Sequence, residues 1–168
     1  MCSRLREFWL MQLQLKLYPA KIVETKKRPL PFDVTTLFSS DPAFAFAKSL
    51  TPQQLLTWVI QNVKYKTESA GQDNWQLANE TLRWKTGDCE DGAILLANLL
   101  LARGEPYWKI LIAVYDGHVC TYFDGEAYDW TGVRTNQPML TGLLYCFNRS
   151  RAYTSLEHIQ QWPRGAPT

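Results

Sequence analysis

The spacing of apolar positions changes several times along the chain, and each change predicts an element. "MQLQLKLYPAKIVE" alternates, with Leu13, Leu15 and Leu17 on one side, which predicts a strand. "KKRPLPFD" is a proline-broken loop. From Thr51 the period lengthens: Leu55, Leu56, Val59, Ile60 and Val63 form one helical stripe. Thr51 can cap this helix, Pro52 fits its first position, and Gln54 completes a capping box. After the polar loop "KTESAGQDN", the run "WQLANETLRW" predicts a short helix carrying Trp75 and Trp84. The next run, "AILLANLLLA", is apolar almost all round, so its helix is expected at the centre of the fold. Asp88 is its natural cap, Glu90 and Asp91 suit the dipole of its first turn, and Gly104 ends it.

The period then shortens to two. In "YWKILIAVYDGHVCTYFDGEAYDWTG", Asp116-Gly117 and Asp124-Gly125 separate three β-rich runs, predicting an antiparallel meander over 109–131. If the second loop has two residues, Phe123 pairs with Glu126, Cys120 with Asp129 and His118 with Thr131. His118 and Asp129 then share a face as diagonal neighbours, with Cβ atoms roughly 7 Å apart. Val114, Val119, Phe123, Tyr128 and Trp130 fall on the opposite face and are expected to pack a core. Further on, "TSLEHIQQW" predicts a short helix from Thr154 that carries His158, and "PRGAPT" is expected to fray.

Composition narrows the function classes. A length of 168 residues suits one domain with a short terminal arm. The net charge of +2 and the isolated basic cluster at Lys26 to Arg28 argue against a nucleic-acid partner. No apolar run reaches the roughly 20 residues of a membrane span. The opening "MCSRLREFWLMQLQLKLYPA" has an early acidic residue and broken apolar positions, unlike a secretory signal, so a cytoplasmic location is expected. Cys2, Cys89, Cys120 and Cys146 form neither a CxxC pair nor a small-domain disulfide framework. Reduced thiols, with no metal and no cofactor, are expected.

Cys89 stands where a buried helix begins. A helix N-terminus lowers a thiol pKa from its usual value near 8.5, and its exposed N–H groups can hold an oxyanion. Asp88, Glu90 and Asp91 oppose a thiolate there, so the chemistry calls for a neighbouring imidazolium, which His118 can supply. Taken alone, Cys89 reads equally as a buried structural cysteine. A shared face for His118 and Asp129 favours catalysis, because a carboxylate in an otherwise hydrophobic strand needs a partner. Cys120, across from Asp129, reads as a small core residue.

The runs "ETLRWKTGDCEDGAILLANLLLARG", "GHVCTYFDG" and "YDWT" resemble the transglutaminase-like superfamily of papain-type folds, over residues 51–132. The resemblance implies an α+β fold in which a central helix bearing the cysteine packs on an antiparallel sheet. Residues 51–168 are expected to form the transglutaminase-like domain, with 1–50 a strand-and-loop arm that either stands apart or belongs to the same domain. The resemblance also implies Cys89 as nucleophile, His118 as general base and acid, and Asp129 as the residue that orients it. The implied reaction is hydrolysis of a peptide or amide bond in a protein or peptide substrate, through a thioester acyl-enzyme. Trp75, Gln76 and Tyr65 are candidates for the second oxyanion donor beside the Cys89 N–H. Transfer to an amine and a non-catalytic interaction domain of the same fold are the alternatives. Glu90 stands where animal transglutaminases carry an aromatic residue, and the chain lacks room for their β-domains and calcium sites. It is more similar to small microbial members.

Overall fold

The computed structural model describes residues 34–68, 74–115, 117–130, 143–150 and 152–153. The expected strand at Leu13 to Leu17, the loop at 26–33, Thr131, the Thr154 helix with His158, and Cys2 lie outside these residues.

Helix α1 spans Pro52–Asn62 and starts as its capping box dictates. The Gln54 N–H donates to Thr51 Oγ1 at 3.2 Å, and the Thr51 N–H donates to Gln54 Oε1 at 2.8 Å. Leu55, Leu56, Val59 and Val63 are buried, but Ile60 is 38% exposed, so the apolar stripe is one column narrower than expected. Helix α2 spans Ala78–Trp84 and carries Trp84 but not Trp75. The Glu80 carboxylate accepts the Leu77 N–H at 2.8 Å and fixes the helix start beyond Trp75. A two-residue parallel ladder joins β1 (Lys64–Tyr65) to β2 (Thr86–Gly87), with Tyr65 opposite Gly87. The residue pattern carried no signal for a ladder this short.

Helix α3, Cys89–Arg103, is the centre of the molecule: every residue from Glu90 to Leu100 is buried. It ends at Gly104, whose φ of 106° is the left-handed conformation glycine adopts without strain. Asn98 is buried in its middle and fully used. Its Oδ1 accepts the Ser39 N–H at 2.8 Å, and its Nδ2 donates to the carbonyls of Leu37 and Ile94 at 3.0 and 2.8 Å. That anchors the preceding 3-10 turn, Val34–Leu37, on α3.

A five-stranded sheet packs beside α3. Strands β3 (Ile110–Tyr115), β4 (His118–Phe123) and β5 (Glu126–Tyr128) form the expected meander. Tyr115 pairs with His118, and Phe123 with Glu126, so both hairpins have two-residue loops. Asp124 and Gly125 take φ of 50° and 88°, the doubly left-handed turn that an Asp-Gly pair favours. Strand β6 (Leu143–Phe147) runs antiparallel along the other edge of β3, and β7 (Ala152–Tyr153) follows it. One face of this sheet, including Ile112, Val114, Val119, Phe123, Tyr128 and Phe147, packs with α3 into the core. Each such side chain contributes about 1.5–3 kcal/mol of burial. The Thr121 hydroxyl on this face donates to the Ala93 carbonyl at 2.9 Å, fixing β4 against the first turns of α3.

Candidate active site

Strand β2 leads directly into Asp88 and Cys89. A side chain on Gly87 would fall 2.6 Å from Asp91 Cβ, so only glycine lets Asp91 fold back over the helix start. Asp91 Oδ1 then accepts the Gln76 N–H at 2.7 Å, and its Oδ2 accepts the Asp88 N–H at 3.3 Å. Asp91 is therefore a clip that ties the loop before α2 to the first turn of α3, a role beyond matching the dipole. Burial pushes its carboxyl up to about 7. Glu90 is buried as well, and burial together with the charge of Asp88 pushes it up to about 8.

The Cys89 thiol donates to Glu90 Oε2 at 3.2 Å. Its pKa is pushed up to about 12, by burial first and then by the charge and hydrogen bond of Glu90. The backbone N–H of Val119 points at the sulfur and opposes the rise. In this arrangement burial, and after it the neighbouring carboxylates, outweigh the helix N-terminus, and the resting sulfur is a thiol.

His118 Nε2 and Asp129 Oδ2 are 2.5 Å apart. The bond raises the imidazole pKa, with burial working against it. The ladder of β5 ends at Tyr128, so Asp129 is not paired with Cys120, but the strand's alternation persists for one more residue and aims the carboxylate at the ring. No hydrogen bond joins Cys89 to His118 among the described residues. The sulfur instead reaches the N–H of Val119, the residue that follows His118.

The three oxyanion candidates are placed differently. The Tyr65 hydroxyl faces the sulfur, and its pKa is raised by burial and then by Cys89. Gln76 gives its backbone N–H to Asp91, and its Oε1 accepts from the Thr81 hydroxyl at 3.3 Å. Trp75 packs its ring 6.0 Å from that of buried Phe147. Cys120 is buried against the Tyr115 hydroxyl, and Cys146 is fully buried; both are unbridged.

Gly92 and Trp130 form a further part of the site. A Cβ on Gly92 would fall 1.8 Å from the ring of Trp130, so α3 is cut back there to seat the indole. Trp130 in turn meets Tyr65 edge to face, with centroids 5.5 Å apart. The available signal was a single glycine inside an otherwise apolar helix. A cavity of about 330 Å³ lies elsewhere, between Leu101, Ala102 and the Ser39–Pro42 turn, away from the thiol. Among the described residues no three His, Cys, Asp or Glu side chains are gathered around a metal position, and no helix is long and apolar enough to cross a membrane.

No family model and no curated protein matches the chain. Among solved structures, Legionella pneumophila LapG superposes with a TM-score of 0.55 at 17% identity, over 88% of this chain and 87% of that one. Its calcium-bound form gives 0.53 at 19% identity over 88% and 87%. Its EGTA-treated form gives 0.53 at 17% identity over 92% and 93%. At such identities the likeness speaks for the fold alone: this chain has the α+β, papain-like architecture of transglutaminase-like proteins.

Proposed function

We propose that the chain is a cysteine-dependent hydrolase of peptide or amide bonds, working through Cys89, His118 and Asp129. LapG, with which it shares its fold, is a transglutaminase-like cysteine protease. The observation that carries the reading is the junction at β4: His118 is bonded to Asp129, while the next residue, Val119, offers its N–H to the Cys89 sulfur. With Nε2 committed to Asp129, Nδ1 is the ring nitrogen left to serve the sulfur.

In the reaction the thiol leaves Glu90 and gives its proton to His118 Nδ1. The sulfur attacks the carbonyl carbon, and the Cys89 N–H holds the resulting oxyanion. The imidazolium returns its proton to the leaving amine as the C–N bond breaks, leaving a thioester. Water then adds, giving a proton to His118, and the thiol departs from the carboxylic acid product. An amine in place of water would give transfer through the same thioester.

One LapG structure is calcium-bound. In this chain Asp88 and Glu90 supply the hard oxygen donors calcium takes, and the burial and charge that raise Glu90 are what a cation would relieve. As a pair they would need backbone or water oxygens to complete a site. Calcium there would supply charge neutralisation beside the thiol. A melting point that rises with calcium chloride and returns with EGTA, and does so less in Glu90→Gln, is the expected result.

The direct test uses a substrate-like activity probe for cysteine hydrolases with mapping of the adduct, followed by a peptide library read by mass spectrometry. An adduct on Cys89 and cleavage that disappears in Cys89→Ala are expected. No adduct on Cys89, with cleavage unchanged in Cys89→Ala, would leave a binding module of the same fold.

A further inference from the structure

We infer that the Tyr65 hydroxyl is the second oxyanion donor, a catalytic residue held over the thiol by β2 and by Trp130. The inference rests on the cysteine-nucleophile reading and specifies which group completes that site.

The backbone of Tyr65 is fixed first. The Lys64 N–H donates to the Lys85 carbonyl and the Lys66 N–H to the Gly87 carbonyl, both at 2.8 Å. These bonds set Tyr65 opposite Gly87, two residues before the nucleophile. The ring is fixed next, edge to face on Trp130 with an interplanar angle of 80°. Trp130 is itself seated on Gly92, in the first turn of the nucleophile helix. The hydroxyl at the end of this ring faces the Cys89 sulfur. Tyr65 is nonetheless 49% exposed, so it is open to a substrate in the cleft. The rival candidates are engaged elsewhere, Trp75 against Phe147 and Gln76 with Asp91 and Thr81.

The chemistry suits a phenol. Its proton stays on across the working pH range, so it remains a donor. Before attack it donates toward sulfur. As the C–S bond forms, the sulfur loses its negative charge and the adjacent carbonyl oxygen gains it. The hydroxyl then moves its hydrogen bond to that oxygen without giving up the proton, alongside the Cys89 N–H.

The test compares two reagents on Tyr65→Phe, which keeps the ring on Trp130 and removes only the hydroxyl. p-Nitrophenyl acetate acylates a thiol through an oxyanion; iodoacetamide alkylates it without one. The expected result is a fall of about 10²-fold in Cys89-dependent p-nitrophenol release, with alkylation within about threefold of the parent and an unchanged melting point. A parallel fall in both rates would place Tyr65 on the sulfur alone and overturn the assignment, as would no fall in either. Cys89→Ala separates the premises: a release burst that survives it removes the nucleophile itself, whereas a dead Cys89→Ala beside a fully active Tyr65→Phe removes only the tyrosine.

Discussion

Gly92 and Trp130 occupy one volume: a methyl group on the first would lie 1.8 Å from the ring of the second. The helix that carries the thiol and the chain segment just beyond Asp129 are thereby locked together. Gly92→Ala must displace the indole. It is expected to cost roughly 1–3 kcal/mol of stability despite alanine's better helix propensity. Urea unfolding together with near-ultraviolet circular dichroism would measure both the loss and the moved tryptophan. An unchanged spectrum would contradict the packing described.

The His118–Asp129 bond sets the state of the imidazole. Asp129→Asn should let the His118 pKa fall back toward about 6.5, visible in an NMR titration of its ring protons. Because the folded value is raised, the stability this pair contributes is complete below about pH 6.5. It is lost as pH climbs through the folded pKa. The proposed hydrolysis, by analogy with triads in general, should fall by about 10⁴-fold in this variant while the fold persists.

Glu90 restrains the thiol. Replacing it with glutamine removes the charge beside Cys89 and should bring the thiol down from about 12, speeding iodoacetamide labelling at pH 8 by roughly tenfold for each unit of the fall. Labelling slower than the parent would refute the assignment.

The same carboxyl leaves a mark on stability. Glu90 and Asp91 are raised to about 8 and about 7, above their unfolded values near 4. Their contribution is therefore present below about pH 4 and declines as pH rises to 8, so the melting temperature should fall across that range. In Glu90→Gln the fall should be shallower. A curve identical to the parent's would mean that Glu90 ionises normally.

Asn98 makes three hydrogen bonds in the core, two of them to the segment before α1. Asn98→Leu would strand the Leu37 carbonyl and the Ser39 N–H, and a loss of about 1–3 kcal/mol in chemical denaturation is expected.

Much of the frame is legible in the residues alone. Local chemistry defines a capping box at Thr51 and Gln54, a stop at Gly104 and two Asp-Gly turns, because each depends on residues within a few positions of one another. Strand alternation put His118 and Asp129 on one face, and the bond between them follows from that parity even though the ladder itself stops at Tyr128. Helix α2 began later than expected because one Glu80 carboxylate chose the cap, a competition that spacing does not reveal.

Sequence by itself determined the central helix, the meander and the shared side of His118 and Asp129, since periodicity and turn chemistry act over short stretches. Tertiary structure alone decided that β6 lies beside β3, that Gly92 makes room for Trp130, and that the thiol rests on Glu90. The reason is physical: strand order, interlocked volumes and the balance between burial and charge arise where distant segments meet, and no local pattern records them.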